Sequence, residues 1–255
     1  MRCLFPTESV VLGILLFSGS LPEAMTAGVL LLAVFVLAEV AYGFLEKVLP
    51  SWSLWLCLMA GAGVIYGCAG KLALFALGFE VSLPQWILQG IIGILAARHV
   101  LENPAKGDYN GIFWEYAVIW GLWLLFGGIR EVWGLGELAG YSVADGAFLT
   151  KGILTPAFGL WGAGILVAAA GAFLGKGPEK KTEAYLLLPL FWYWPAFELP
   201  ISWPVISLVL AGAVTWLLFY SLRKKLIYSQ ADGTFGGLPL DLLSLGILYM
   251  ILGIL

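Results

Sequence analysis

Long apolar stretches follow one another along almost the whole chain, and they constrain its fold more than any other feature. Polar residues, glycine or proline separate nine such stretches. A helix needs about 20 apolar residues to cross a bilayer, and only 11% of the residues are charged, against about a quarter in soluble domains. The pattern therefore predicts an all-α polytopic membrane protein. The predicted segments are residues 9–21, 24–46, 52–78, 83–101, 110–130, 152–175, 184–199, 201–222 and 237–255.

Three of these segments are too short or too interrupted to be plain spanning helices. Segment 9–21 is short, segment 83–101 carries Gly90 and Gly93 in its middle, and segment 184–199 is dense in aromatic residues and proline. Irregular backbone at membrane depth is stable only where protein or a cavity covers it. Broken segments in related repeats therefore point to a functional region.

The basic residues are distributed unevenly between the connections. If the N-terminus is cytoplasmic and every segment crosses, the cytoplasmic side holds 10 of the 13 basic residues. The other side then holds only Lys71, Arg130 and Lys151. The positive-inside rule thus predicts a cell inner membrane protein with its N-terminus in the cytoplasm and its C-terminus outside. The cytoplasmic set is Arg2, Lys47, Arg98, Lys106, Lys176, Lys180, Lys181, Arg223, Lys224 and Lys225.

Charge and cysteine content exclude several classes of protein. A net charge of −3 is too small to attract nucleic acid, so no nucleic-acid partner is expected. The three cysteines, Cys3, Cys57 and Cys68, form no CxxC motif, and His99 is the single histidine. A zinc site and a disulfide framework are therefore not expected. Because the sequence also lacks a phosphate loop and a Ser/His/Asp arrangement, we predict no catalytic residue, no cofactor-binding residue and no metal ligand.

One polar segment carries a resemblance to a known family. An apolar helix leads into Gly128-Ile-Arg-Glu-Val-Trp-Gly-Leu-Gly-Glu-Leu138, and a second apolar helix follows from Leu154-Thr-Pro-Ala-Phe158. This resembles the RnfE/NqrD membrane subunits of the Rnf and Nqr complexes, which couple oxidation of ferredoxin or NADH to translocation of sodium ions or protons. Leu83-Pro84, Ala96-Ala-Arg98 and Glu102-Asn-Pro104 extend the resemblance upstream, so that it covers residues 1–176.

The C-terminal part is similar to the sister subunit, RnfA/NqrE. The similarity lies in Leu222-Arg-Lys-Lys-Leu226, in Phe235-Gly-Gly-Leu-Pro239 and in the apolar helix after them. The resemblance implies three parts: an RnfE/NqrD-like six-segment unit at 1–176, a charged cytoplasmic linker at 177–183, and an RnfA/NqrE-like three-segment unit at 184–255. A fusion of this kind explains nine segments with related repeats.

The chain departs from this family at the cysteines. In the family, a cysteine in each short helix helps the paired subunits to hold an iron–sulfur cluster, but the matching positions here are Leu15, Gly90 and Pro195. None of these residues offers a thiolate, and such clusters normally need four ligands of this kind. We therefore expect no cofactor in this chain, with iron–sulfur and flavin groups in partner subunits.

Four carboxylates fall within predicted segments and are candidates for an ion path. They are Glu39, Glu115, Glu198 and Asp241. A charge near the bilayer centre costs about 2.5 to 3.5 kcal/mol even on the lowest scales, which makes such residues functional hypotheses. The structural alternative is a residue at the interface or in the first turn of a helix, and it is favoured for Glu115 and Asp241 because the helix dipole stabilises a carboxylate there.

Three further features deserve comment, and two of them are open to two interpretations. Arg130 and Glu131 end a predicted helix, where they either fix the glycine-rich loop as an ion pair or act in function. His99 is expected at an interface. The aromatic run 191–195 either fills the space that the family uses for its cluster or contacts a quinone or flavin.

The resemblance implies a subunit of an Rnf/Nqr-type electron-transport complex, bound to redox and membrane partner subunits and to lipid. In that complex the chain would contribute scaffold and an ion path. It would be at most a non-catalytic subunit of an oxidoreductase. Two alternatives stay open. One is a stand-alone secondary transporter or channel, and the other is a purely structural or assembly subunit.

Overall fold

The computed structural model is all-helical apart from one small hairpin. It describes residues 5–104, 109–143, 150–175, 190, 193–195, 203–225 and 237–253. Within these residues there are eight α-helices, so the predicted all-α class is confirmed. The helices are α1 (Thr7–Phe17), α2 (Leu21–Leu45), α3 (Ser51–Ala76), α4 (Leu83–Glu102), α5 (Tyr109–Leu135), α6 (Pro156–Leu174), α7 (Pro204–Lys225) and α8 (Leu238–Leu252).

In the part of the chain that the structure describes, five helices are long and apolar enough to cross a bilayer. These are α2, α3, α5, α6 and residues Val205–Leu222 of α7, whereas α1 and α8 are shorter apolar helices. Large apolar side chains such as Phe44, Leu72 and Phe75 are exposed on their outer faces. In a membrane these faces contact lipid, which is as apolar as the side chains themselves. The fold is that of a membrane-embedded helical protein.

Eight of the nine predicted segments coincide with helices. The remaining segment, 184–199, lies outside the described residues except for Leu190 and residues 193–195. The predicted linker at 177–183 also lies outside them. Helix α5 continues to Leu135, so that Arg130 and Glu131 lie inside its last two turns rather than at its end.

The chain forms two compact units, Arg2–Leu149 and Thr150–Leu255. This division reflects contacts within the fold. The predicted family parts 1–176 and 184–255 concern sequence resemblance and stay a prediction.

Helix α2 lies at the centre of the first unit and packs against α1, α3, α4 and α5. Two buried tyrosines from different helices donate hydrogen bonds to consecutive carbonyls of α2. The Tyr66 hydroxyl of α3 bonds the Ala27 oxygen at 3.2 Å, and the Tyr116 hydroxyl of α5 bonds the Gly28 oxygen. Since lipid satisfies no hydroxyl group, these bonds meet the polar needs of both side chains.

Glycines set the closest helix contacts of this unit. A Cβ atom at Gly28 would collide with the Trp120 indole, and one at Gly93 of α4 would collide with the Ala62 carbonyl of α3. Small residues allow helix backbones to approach closely in membranes, where dispersion contacts replace the hydrophobic effect.

A short hairpin follows α5. Strands β1 (Glu137–Leu138) and β2 (Tyr141–Ser142) pair in antiparallel register and are exposed. Ala139 and Gly140 at the turn both have positive φ, 51° and 82°. The sequence pattern gave no indication of this hairpin.

The second unit contains a short 3₁₀ helix (Lys151–Leu154) followed by α6, α7 and α8. Helix α6 packs closely against α8, because a Cβ at Gly164 would lie 2.8 Å from the Pro239 oxygen and one at Gly246 would lie 3.1 Å from the Ala157 oxygen.

Candidate polar site between α1, α2 and α5

The break between α1 and α2 is built from small polar residues. Helix α1 ends at Phe17, and Ser18 and Ser20 follow, both buried. The Ser20 hydroxyl accepts a hydrogen bond from the Glu23 backbone N–H at 3.4 Å and caps α2. Ser20 and Glu23 have the S-x-x-E spacing of a capping box, which is the local reason that α2 begins here.

One turn of α5 binds both sides of this break. The Arg130 guanidinium donates from Nη1 to the Ser18 hydroxyl at 2.5 Å. The Glu131 carboxylate accepts a hydrogen bond at Oε2 from the Leu21 backbone N–H at 2.8 Å. This N–H is one of the first of α2, which have no partner within the helix and lie at its positive dipole end. Arg130 and Glu131 are only 4% and 3% exposed.

A glycine allows α5 to come this close. A Cβ at Gly127 would lie 3.3 Å from the Ala24 Cβ and 3.7 Å from the Ser20 oxygen. One turn along α5, the Arg130 guanidinium lies 5.6 Å from the centre of the Phe126 ring, which is within the range of a cation–π interaction.

Glu23 completes the arrangement. It is half-buried and interacts electrostatically with Arg130 and Glu131. We call these five residues the polar cluster: Ser18, Ser20, Glu23, Arg130 and Glu131. The cluster contains two carboxyl groups and one guanidinium. A half-buried carboxylate in this setting can exchange a proton or a small cation with solvent while the buried Arg–Glu pair stays in place.

The other predicted carboxylates lie elsewhere. Glu115 is 3% exposed, and its Oε2 accepts a hydrogen bond from the Phe5 backbone N–H at 3.3 Å. It lies 15 residues before Arg130, about 22 Å along the helix. Glu39 is 6% exposed on α2. Phe35, one turn before it, has its ring centre 6.2 Å from that of His99.

Two candidates remain. Asp241 is 8% exposed in the first turn of α8, in the second unit. Glu198 lies outside the described residues, as do Phe191 and Trp192 of the aromatic run. Within the first unit, the structure brings Arg130 and Glu131 together with Ser18, Ser20 and Glu23.

Helix α1 runs beside the middle of α5. Its start is fixed by the bond from Phe5 to Glu115, and its end by the bond from Arg130 to Ser18. The two helices therefore run side by side in the same direction, and the 11 residues of α1 with their flanks cover about 22 Å of α5, which is about 40 Å long.

No His, Cys, Asp or Glu group in the described part of the chain is arranged to hold a metal ion. Leu15 of α1 is 2% exposed and Gly90 lies on α4, and these two helices pack together. Neither residue can supply a thiolate to an iron–sulfur cluster.

Fold and site together define a membrane-embedded helical protein with a buried Arg–Glu pair at a helix break. No protein-family model, no curated protein and no solved structure matches the chain.

Proposed function

We propose that the chain is an integral membrane subunit of an Rnf/Nqr-type, redox-driven ion-translocating complex. One observation carries this proposal: the segment that resembles RnfE/NqrD, residues 128–138, is the segment that supplies Arg130 and Glu131 to the polar cluster. The residues of the resemblance thus include two of the four buried charged residues described in the first unit.

On this proposal the partner subunits carry the redox groups. Leu15, Gly90 and Pro195 cannot ligate iron, so the iron–sulfur and flavin groups belong to other chains. The chain itself contributes scaffold, with nine membrane segments in related repeats. It lies in the inner membrane with its N-terminus in the cytoplasm and its C-terminus outside.

Within the complex, the polar cluster is part of an ion path. Glu23 is its half-buried carboxylate, and Glu39 and Glu115 are buried carboxylates elsewhere in the same unit. Intramembrane carboxylates commonly mark ion and proton pathways because they are too costly to keep without a use.

Mild solubilisation of native membranes tests the proposal. A tagged chain should co-purify with subunits that show flavin and iron–sulfur absorbance. Recovery of a stable, partner-free protein in gentle detergent would contradict it.

The ion path has its own test. In the assembled complex, Glu23→Gln should reduce ion transport per electron transferred, while Glu80→Gln, an exposed carboxylate in the loop after α3, should leave it unchanged. If Glu23→Gln and Glu39→Gln both leave ion transport unchanged, the chain is a structural or assembly subunit.

A stand-alone secondary transporter is the second candidate, and the break between α1 and α2 favours it. Discontinuous helices whose ends meet at a polar site are typical of transporters. Ion uptake by liposomes that contain only this chain, abolished by Glu39→Gln, would establish that function in place of the first.

A further inference from the structure

The face of α4 that meets α3 carries a buried polar side chain, Gln89, where an apolar side chain would be expected. Gln89 is 1% exposed. Among the described residues, neither its Oε1 nor its Nε2 atom has a hydrogen-bond partner. A carboxamide offers two donors and an acceptor, and in a lipid environment each unsatisfied group is costly. An apolar residue would serve packing better here, so the amide needs another explanation.

A second polar group lies one turn earlier on the same face of α4. The indole Nε1 of Trp86 is buried and likewise has no partner among the described residues. Residues three apart on a helix are neighbours. Trp86 and Gln89 therefore form one polar strip along the α3–α4 contact.

Helix α3 presents glycine opposite both groups. A Cβ at Gly67 would lie 3.4 Å from Trp86 Nε1. A Cβ at Gly70 would lie 3.1 Å from Gln89 Oε1 and 3.5 Å from Gln89 Nε2. Each polar group thus faces a position where α3 has no side chain, so the glycines offer no side-chain hydrogen-bond partner to the amide or the indole.

A lysine marks the open end of the strip. Lys71 follows Gly70 and is exposed, and its ammonium lies 5.8 Å from the centre of the Trp86 ring. It lies five residues before the end of α3 at Ala76, about 8 Å along the helix axis. A positive charge at this end disfavours cations, and the strip combines hydrogen-bond donors with an acceptor.

A small neutral ligand that both donates and accepts hydrogen bonds fits these groups, and water is that ligand.

We propose that Trp86 and Gln89 form an internal water-binding site between α3 and α4, reached from the Lys71 end. The Trp86 indole donates to the bound water, and the Gln89 amide both donates and accepts. Buried waters in proteins typically make about three hydrogen bonds to groups that have no other partner. The site gives α4 contact with water to the depth of Gln89, and it does not depend on the redox partners or on the polar cluster.

Exchange of indole protons in the unaltered protein tests the proposal directly. The Trp86 Nε1 proton, assigned by its loss in Trp86→Phe, should exchange with deuterated solvent at least about tenfold faster than that of Trp123, because exchange requires contact with water. Trp123 is the matched control, since its Nε1 is also buried and without a partner in the described part of the chain. Equal exchange rates would overturn the proposal.

Thiol accessibility provides a second test. In a chain whose native cysteines are replaced by serine, Gln89→Cys should react with a water-soluble methanethiosulfonate reagent at least about tenfold faster than Ile92→Cys, because the reactive thiolate forms only in contact with water. Ile92 lies one turn further along α4 and is 0% exposed. Reaction of both at the same slow rate would contradict the proposal.

A filling variant distinguishes the water site from general loosening. Gly70→Ala places a methyl group directly against the side chain at position 89 and should slow modification of Gln89→Cys. Gly61→Ala on the same helix should not, because no atom of the described residues lies within 4 Å of a Cβ there. An equal rate in both alanine variants would show that the label reaches residue 89 by another route, and would overturn the assigned site.

Discussion

At the scale of single residues, Arg130 is a buried charge beside the break between α1 and α2. The residue is 4% exposed, its guanidinium donates a hydrogen bond to the Ser18 hydroxyl, and its charge interacts with Glu23. In Arg130→Ala, the Glu23 carboxylate loses this positive charge. We expect a loss of about 3–5 kcal/mol in the free energy of unfolding, the usual cost of removing one partner of a buried ion pair. Reversible unfolding in mixed micelles measures it.

Arg98→Ala is the matched control. Its Nε bonds Glu102 at 2.7 Å, but the two side chains are 25% and 43% exposed. Surface pairs four residues apart on a helix contribute about 0.3–0.5 kcal/mol. Equal losses in the two variants would show that the Arg130 side chain is hydrated rather than buried.

Glu131 separates the effect of charge from that of the hydrogen bond. Glu131→Ala leaves the Leu21 N–H without its acceptor, which costs about 1–3 kcal/mol when the group is buried. Glu131→Gln retains a carbonyl oxygen at this position and should destabilise the protein less than the alanine variant. Unfolding midpoints of the two variants, measured in the same detergent, check the order. Gln equal to or worse than Ala would mean that the negative charge matters more than the bond.

Arg130 and Glu131 were predictable from the sequence as candidate residues, but their partners were not. Two adjacent charges are visible in an apolar run, whereas Ser18 and Leu21 become their partners only through the packing of α1 and α2 on α5. A local signal did exist in the S-x-x-E spacing of Ser20 and Glu23. Gln89 was missed because only ionisable groups were weighed, although an amide in lipid carries a similar penalty.

At the scale of helices, α2 depends on close approach at Gly28. A Cβ there would collide with the Trp120 indole and would lie 2.9 Å from the Tyr116 hydroxyl oxygen. Gly28→Ala should therefore destabilise the first unit by about 1–3 kcal/mol, the usual cost of overpacking. Thermal unfolding followed by circular dichroism measures the change.

Gly43→Ala on the same helix is the control. Its Cβ would have no atom of the described residues within 4 Å. The substitution should be neutral or slightly stabilising, because alanine favours helix over glycine by up to about 1 kcal/mol. A larger loss at Gly43 than at Gly28 would indicate that helix propensity, not packing, limits α2.

Helix positions were predictable because apolar runs and their punctuation determine them, and most predicted segments match helices within a few residues. Which helices pack together was not predictable. It depends on which glycines face which side chains, as Gly93 faces Ala62 and Gly164 faces Pro239. The hairpin after α5 was missed because its strands have two residues each, too few to show an alternating pattern.

At the scale of the whole molecule, the sidedness of the chain depends on whether α1 crosses the membrane. Its 11 residues are few for a span. However, the contacts of Phe5 with Glu115 and of Ser18 with Arg130 place its two flanks about 22 Å apart along α5. If α1 and α2 each cross the membrane, the α2–α3 connection returns to the side of the N-terminus.

This geometry and the positive-inside rule together predict the sidedness of two loops. With a cytoplasmic N-terminus, Val48 between α2 and α3 faces the cytoplasm and Glu80 between α3 and α4 faces outside; both residues are exposed. In intact cells expressing a chain without native cysteines, an impermeant maleimide should label Glu80→Cys but not Val48→Cys. Permeabilised cells, the control, should label both. Labelling of Val48→Cys alone in intact cells, with the N-terminus shown to be cytoplasmic by a protease-sensitive tag, would mean that α1 does not cross.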